Sequence, residues 1–414
     1  MRAYLRTFGC RANQYDTEAL QAMIVSAGGE VVDSPEYADV AVFNSCAVTS
    51  AAEADLRQAV RGASRRRPGL RTIVMGCASA RDDGTIAALP GVSDLIVGAD
   101  LPALAQALRL DASAVGARSR LQTGSRALLR IQDGCDEHCT FCATTLARGS
   151  NRSRAADVLV DEAQGLATEH PEIVLTGVHI GTYGTECGSS LGALVERLVR
   201  EVPQVRFRLS SVEATEVDAR LHDMLADDPR RVAPHLHAPL QSGSDAVLKR
   251  MGRHWYNAES YARAAERVIS GRVAFAFGAD VIAGFPGETE ADHASTLAFV
   301  RELPFTDLHV FPYSPRPGTA AERLACRVAP GVVKRRAAEL RALATEKAAA
   351  HAVLRAGGSA DVVVVGGGAK RDGLTEDYLS VELQDASLPR RARFDAELAD
   401  TGRGRLVATV THLS

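Results

Sequence analysis

Short runs of apolar residues, each closing on a glycine or a cysteine, alternate through the first part of the chain with stretches whose apolar positions recur every three or four residues. RAYLRTFGC, ADVAVFNSC, TIVMGC and DLIVG read as strands, and ADVAVFNSC is apolar enough for a strand covered on both faces. Between them ALQAMIVSAGG, residues 50–67 and a short piece at Thr85–Leu89 carry the helical period. Strand and helix in alternation predict a parallel sheet of Rossmann or flavodoxin type over residues 1–110. Residues 111–126, DASAVGARSRLQTGSR, have no period and many small and basic residues, which predicts a linker.

A second α/β series begins at ALLRIQDG and runs through EIVLTGVHIGTYG, RFRLSSVEA, HLHAPLQSGSD, VAFAFGADVIAGFPGETE and LHVFPYSPRPGT. The succession predicts a (βα)6 partial TIM barrel over residues 127–331, with functional groups at the C-terminal strand ends. VVKRRAAELRALATEKAAAHAVL consists of strong helix formers and predicts one long linking helix within residues 332–357. Beyond it ADVVVVGGG, DYLSVEL, RRARFDAELA and RLVATVTHL alternate apolar and polar positions between turn residues, so residues 358–414 are expected to close into a small β-barrel.

A length of 414 residues agrees with two or three domains, and 46% hydrophobic with 24% charged residues is a soluble globular composition. MRAYLRTFGC lacks the apolar core of a secretory leader, and no apolar run is long enough to span a bilayer, so the expectation is a cytoplasmic protein with no membrane contact. The net charge of −3 gives no global attraction for nucleic acid, and an RNA partner would have to be met by local basic patches.

The cysteines change the picture more. Eight of them, clustered or at strand ends, read as metal ligands in a reducing compartment and not as a disulfide framework. Cys135, Cys139 and Cys142 stand in IQDGCDEHCTFC with C-x3-C-x2-C spacing, close enough to share one soft metal centre. Iron–sulfur clusters normally take four thiolates, so three would leave one iron open to a small molecule; a zinc knuckle completed by His138 is the structural alternative. Cys10, Cys46 and Cys77 each end a predicted strand of the first sheet. Singly each reads as core as readily as ligand, but carboxyl ends of parallel strands line one crevice, so the three can converge. Cys187 and Cys326 have no partner spacing and are read as bystanders.

The C-x3-C-x2-C motif, with Phe141 before its last cysteine, resembles the signature of the radical S-adenosylmethionine (SAM) superfamily. GCRANQYDTE, NSCAVTSAA and MGCASA are similar to the N-terminal domain of its methylthiotransferase branch, and GLTEDYLSV to a TRAM domain, an OB-like RNA-binding barrel. The resemblance covers nearly the whole chain; it departs from the family at Ala78-Ser79-Ala80 and Ala143-Thr144-Thr145. It implies two [4Fe-4S] clusters, one on Cys135, Cys139 and Cys142 and an auxiliary one on Cys10, Cys46 and Cys77, with SAM on the open iron of the first. One SAM would methylate a sulfur of the auxiliary cluster, and a second would give a 5'-deoxyadenosyl radical that removes the substrate hydrogen.

For SAM contacts the resemblance points to Phe141, Thr176, Gly177, Ser210, Glu213, Gln241, Asp280 and Gly284, with Glu213 at the ribose. Glu213 reads equally as a helix-capping or solvated carboxylate, and His235 and His237 as a rim pair without a role. TFGCRANQYDTE, VLTGVHIGTYG and FPYSPRPGT look most like enzymes that act on N6-threonylcarbamoyladenosine beside the anticodon of tRNA, giving its 2-methylthio derivative. N6-isopentenyladenosine in tRNA and an aspartate of ribosomal protein S12 are the alternative substrates. Arg148, Arg152 and Arg316 are expected to receive a substrate carboxylate, and Tyr378 to meet RNA beside Lys370, Arg371, Arg390, Arg391, Arg393, Arg403 and Arg405. Trp255 and Tyr256 are expected either to stack on a base or to cover the barrel end. The implied partners are the anticodon stem-loop of tRNA and an electron donor such as flavodoxin or ferredoxin. A C-methylase with cobalamin in the first domain, and an RNA-binding protein with structural metal, remain as other classes.

Overall fold

The computed structural model describes residues 1–414 apart from 48–49, 82, 112–114, 117–120, 273, 367–371, 386, 403 and 414. Parts of the expected linker, and Lys370, Arg371 and Arg403, therefore lie outside the described residues. The chain forms two compact units. The first is Met1–Thr123 with Gln132–Glu137 and Cys142–Arg152; the second is Gly124–Ile131, His138–Phe141 and Ser153–Ser414.

In the first unit β1 (Arg2–Thr7), α1 (Arg11–Ser26), β2 (Glu30–Val32), β3 (Val40–Ser45), α2 (Ser50–Arg66), β4 (Arg71–Gly76), β5 (Val92–Val97) and α3 (Leu101–Leu108) follow one another. The strands are parallel in the order β2-β1-β3-β4-β5, which is the flavodoxin arrangement with its switch point between β1 and β3. Successive β3 residues face opposite layers: Ala41 and Phe43 meet Leu56 and Val60 of α2, while Val40 and Val42 meet Leu20, Met23 and Ile24 of α1 and Leu104 of α3. Coverage on both faces explains the unbroken apolar run of β3. Thr85–Leu89, expected as a helix, forms only turns, closed by Ala88 N–H to the Gly84 carbonyl and Leu89 N–H to that of Ile86. Gly84 before it and Pro90 after it leave no room for a second helical turn.

The chain continues through β6 (Ala127–Arg130), β7 (Gln132–Asp133), α4 (Thr144–Arg148) and β8 (Arg152–Ser153). In the second unit come α5 (Ala156–Ala167), β9 (Glu172–Thr176), α6 (Leu191–Glu201), β10 (Arg206–Leu209), α7 (Ala219–Asp227), β11 (His235–His237), α8 (Asp245–Arg250), α9 (Ala258–Ile269), β12 (Ala276–Ala283), α10 (Glu290–Glu302) and β13 (Asp307–Pro312). Two parallel sheets, β6-β9-β10 and β11-β12-β13, are joined by parallel bridges Phe207–Val232 and Ser211–His237, which makes the partial barrel. Phe207, Leu209, Leu236, Phe277, Ala279 and Val281 pack in one core with helix residues such as Val195, Leu198, Leu221 and Tyr261. The alternate positions of β11, β12 and β13 carry His235, His237, Asp280 and His309.

The long helix α11 (Pro330–Arg355) joins that core through Ala337, Leu340 and Leu343. No helix among the described residues is long and apolar enough to cross a membrane. The last strands, β14 (Ser359–Val364), β15 (Asp372–Thr375), β16 (Ser380–Leu383), β17 (Arg393–Asp400) and β18 (Leu406–Leu413), close as β14-β15-β16-β18-β17 around Val362, Val364, Val381, Phe394 and Leu398. Of DYLSVEL, expected as one strand, only Ser380–Leu383 is extended as β16; Asp377–Leu379 belong to the turn from β15, in which Tyr378 has a left-handed φ of 68°.

Candidate active site

Gly9, with φ of 97°, turns the chain out of β1 and into α1, and Cys10 sits at the N-cap of that helix. A Cβ on Gly9 would lie 2.5 Å from both Cβ and Sγ of Cys46, so only glycine lets the two strand ends come this close. Cys77 follows β4 and donates its backbone N–H to the Ser45 carbonyl at 3.0 Å. Asn13, buried in the first turns of α1, spends its amide N–H groups on the carbonyls of Phe8 (3.0 Å) and Ser45 (2.8 Å). Its Oδ1 is thereby turned to the thiols, 3.7 Å from Cys10 Sγ and 4.0 Å from Cys77 Sγ. The three cysteines expected to converge do so.

Arg148, at the end of α4, closes this cluster. Its guanidinium donates to Asn13 Oδ1 (2.7 Å), Asp16 Oδ2 (2.8 Å), Asp133 Oδ1 (3.0 Å) and Cys77 Sγ (3.3 Å). Burial among Ala47, Ala143 and Ala147 pushes the Cys77 thiol up, and the Arg148 charge opposes that shift. Burial also works against the Arg148 charge, but Asp16, Cys77 and Asp133 outweigh it and hold the guanidinium firmly protonated. A buried cation against thiols favours their ionised, metal-binding form. Arg148, expected to receive substrate, is instead committed to four protein partners.

The C-x3-C-x2-C loop is anchored separately in each unit. In the first unit Gly134 takes φ of 74°, and a side chain there would collide with the Ser150 carbonyl. Gln132 Nε2 donates to the Gly134 carbonyl and to Asn151 Oδ1, both at 2.6 Å, and the Cys135 N–H donates to the Gly149 carbonyl at 3.0 Å. Cys142 Sγ accepts from the Thr144 N–H at 3.3 Å. In the second unit Thr140 is fixed by its N–H to the Met251 carbonyl (2.8 Å) and its hydroxyl to that of Arg250 (2.9 Å). Arg253 donates to Cys139 Sγ at 3.4 Å, to the Tyr256 hydroxyl at 2.8 Å and to Glu213.

Trp255 Nε1 donates to the second Glu213 oxygen, and the Tyr256 hydroxyl donates to the Leu240 carbonyl at 2.6 Å. Trp255 and Tyr256 are thus built into the barrel end. Burial raises the Glu213 carboxyl, and Arg253 opposes it. Glu213 caps the turn Ala214–Glu216 as well, which was one of its two expected readings.

The remaining candidates each have partners of their own. Thr176 ends β9, with Gly177 next; Ser210 donates its N–H to the Leu175 carbonyl; Gln241, with φ of 65°, exchanges backbone bonds with Asp280 and Ile282; and Gly284, with φ of 80°, donates to Glu288. Phe141 meets Phe285 edge-on at 6.3 Å. Asp280 lies within β12 and accepts from His237 Nε2 (3.0 Å) and His309 Nδ1 (3.2 Å). Burial resists its charge, yet the two imidazoles hold its carboxyl well below the usual range. Arg152 is exposed and bonds the Arg148 carbonyl, and Arg316 is buried beyond β13.

Tyr378 does not join them. Its ring stacks on His235 at 4.4 Å, with the guanidinium groups of Arg126 and Arg208 over it, where the barrel strands begin. Arg390, Arg391, Arg393 and Arg405, expected on an RNA face, bond Ser125, Gly124, Asp361 and Asp372. Sequence reasoning missed Asn13, Asp16 and Arg253. Asn13 and Asp16 stand three apart on one helix face of the quoted GCRANQYDTE, which was a usable signal, whereas nothing local marks Arg253.

Residues 2–98 match the uncharacterized protein family UPF0004, and residues 129–300 match the radical SAM superfamily. The chain is 36% identical over 367 residues to the threonylcarbamoyladenosine tRNA methylthiotransferase MtaB of Bacillus subtilis, covering 84% of this chain and 81% of that protein. MtaB of Aquifex aeolicus is 34% identical over 366 residues, with 84% and 88% covered. The tRNA-2-methylthio-N(6)-dimethylallyladenosine synthase of a Parafrankia strain is 35% identical over 401 residues, with 90% and 80% covered. In fold alone the chain is similar to the radical SAM methyltransferase TsrM of Kitasatospora setae, solved with cobalamin and a [4Fe-4S] cluster (TM-score 0.59, 14% identity, 78% and 77% covered). Similarity of this extent, over a chain that brings Cys10, Cys46 and Cys77 together and carries the C-x3-C-x2-C loop, makes it an enzyme of the radical SAM methylthiotransferase family.

Proposed function

We propose that this enzyme converts N6-threonylcarbamoyladenosine, next to the anticodon of a tRNA, to its 2-methylthio derivative. The observation that carries the chemistry is the gathering of Cys10, Cys46 and Cys77 about Asn13 and Arg148, a thiol trio separate in sequence from Cys135, Cys139 and Cys142. Thiolate donors suit iron–sulfur clusters, and three per site leave one iron open. In this reading Cys135, Cys139 and Cys142 hold the [4Fe-4S] cluster that binds SAM, and the other trio holds an auxiliary one. When bound, the first would supply the electron that opens SAM, and the second the sulfur to be inserted.

The chain's own residues hold these groups in place. Arg148 keeps Cys77 electrostatically matched to its site, Arg253 orients Cys139, and Thr176, Gly177, Ser210, Gln241 and Gly284 offer backbone and small side chains at the strand ends where SAM would lie. A cytoplasmic reductant such as flavodoxin or ferredoxin would deliver electrons, and residues 358–414 would serve as a TRAM module for the anticodon stem-loop. Arg152 and Arg316 stay candidates for the substrate carboxylate.

The choice of nucleoside rests on the relatives named MtaB, and the second reading, an isopentenyl-type nucleoside, is favoured by the 35% identity to the dimethylallyladenosine synthase. Mass spectrometry of tRNA nucleosides from cells lacking the gene separates them. We expect the 2-methylthio form of the threonylcarbamoyl nucleoside to vanish while that of the isopentenyl nucleoside persists; the converse pattern overturns the assignment.

A further inference from the structure

Three side chains on adjacent strands of the partial barrel converge, and Asp280, expected among the SAM contacts, is taken up here by two imidazoles. His237 ends β11, Asp280 lies in β12, and His309 lies in β13, where it is in register with Asp280. One ligand atom from each comes within 4.8 Å of the other two. We propose that His237, Asp280 and His309 form a binding site for a divalent transition-metal ion of the zinc or ferrous class, distinct from both cysteine trios.

Four observations carry this. First, both imidazoles address the same oxygen: His237 Nε2 lies 3.0 Å and His309 Nδ1 3.2 Å from Asp280 Oδ1. Donors bound at about 2.0–2.1 Å around a tetrahedral ion stand roughly 3.3 Å apart, so the spacing already suits a shared cation in place of the shared protons. Second, two imidazoles with one carboxylate is the donor set of ferrous facial triads and is close to that of catalytic zinc sites.

Third, the remaining nitrogen of His309, Nε2, is 3.3 Å from Asp307 Oδ2. A carboxylate on the far nitrogen fixes the ring and its tautomer, which is the outer arrangement that metal-ligating histidines habitually show. Fourth, Gly278 is paired with His237, and a Cβ there would come 2.9 Å from His237 Nδ1. A glycine at this position gives the imidazole its room. The side chain of His237 is 12% exposed, that of Asp280 23% and that of His309 55%, so the trio is walled on one side and open on the other. The open side would take an oxygen ligand, water or a carboxylate.

The other grouping of this kind among the described residues, His179, Glu213 and Glu216, is already served by a cation of the protein, since Arg253 pairs with Glu213. Among the described residues, no arginine or lysine pairs with Asp280, His237 or His309.

The test uses the full-length enzyme with its cysteine sites reconstituted with iron and sulfide, exposed to Zn2+ alone and desalted. We expect one retained zinc per chain, with zinc K-edge absorption showing only nitrogen and oxygen neighbours at about 2.0–2.1 Å and no sulfur at about 2.3 Å. His237→Gln and His309→Gln should each lower zinc affinity at least tenfold with iron content unchanged. Asp307→Asn removes no ligand and should still weaken binding by about 10–100-fold, which keeps the test open if a ligand variant fails to fold. No retained zinc, zinc with sulfur neighbours, or equal affinity in parent and variants would each overturn the site and leave the three residues as a hydrogen-bonded ion triad. None of these outcomes depends on which nucleoside the enzyme modifies.

Discussion

Among single side chains Arg148 has the most to do, because one guanidinium satisfies Asp16, Asp133, Asn13 and the Cys77 thiol at once. The side chain of Asp16 has no exposure and that of Arg148 only 2%, so removing the arginine takes the paired cation from a buried carboxylate, at a cost of about 3–5 kcal/mol. Arg148→Ala should therefore lower the melting temperature and empty the auxiliary site, taking the iron count after anaerobic reconstitution from about eight to about four per chain. Arg148→Lys keeps the charge but not the fork, and should fall between the two. An alanine variant with full iron and the parental melting curve would mean that Arg148 clamps nothing. The convergence of Cys10, Cys46 and Cys77 was legible because each closes an apolar run. The role of Arg148 was not: its partners Asn13 and Asp16 stand far away in the chain, and only folding reveals that a surface-type residue is buried.

At the scale of elements, the entry to the C-x3-C-x2-C loop depends on a backbone conformation more than on any side chain. Gly134 has φ of 74°, and the Ser150 carbonyl fills the space a Cβ would need. Gly134→Ala imposes both a left-handed strain and a backbone clash, so it should cost more than the roughly 0.4–1 kcal/mol that the same change gains where the backbone suits alanine. The expected outcome is loss of the loop cluster with retention of the auxiliary one, read as a halved iron content and no SAM cleavage; a fully loaded, active variant would contradict it. The succession of strands and helices in both α/β parts was readable from apolar runs alternating with helical periods. Three features were not. The helix expected at Thr85–Leu89 is only a turn, because Gly84 and Pro90 cut short a pattern too brief to judge by period. The strand expected through DYLSVEL begins only at Ser380 because Tyr378 adopts a turn conformation rare for a tyrosine, which no propensity scale anticipates. Tyr378 itself, expected to meet RNA, stacks on His235, a pairing set by how the small barrel docks.

At the scale of the molecule, the second unit is held together by charges removed from water. Glu172, Arg206 and Arg208 have no side-chain exposure where the barrel strands begin, and Arg206 reaches Asp361 of β14 while Arg208 reaches the Thr375 carbonyl of β15. Asp377, also unexposed, binds His351 and Arg355 of α11 and the Thr375 hydroxyl. The closed barrel is thus fastened by ion pairs to both the partial barrel and the long helix, so acid should loosen it. Burial alone would raise the Asp377 carboxyl, but the hydrogen bond from His351 and the Arg355 charge outweigh it and bring its pKa down from 3.8 to about 2. A carboxyl whose folded pKa lies below its unfolded one stabilises the fold above pH 3.8 and loses that contribution as pH falls towards 2. The shift corresponds to about 2 kcal/mol. Asp377→Asn cannot titrate, and it takes the Asp377 charge from His351 and from Arg355, which keeps Glu376, so the variant should be the less stable protein at pH 5. In urea unfolding, the gap between parent and variant should narrow as pH falls from 4 to 2, since Glu172 titrates in both while the Asp377 charge, which also raises the adjoining Glu376 carboxyl, is present in the parent only. A gap that stays constant through that window would show that Asp377 is not held ionised by α11, and that the small barrel owes its attachment to the apolar contacts and the Glu172 network alone.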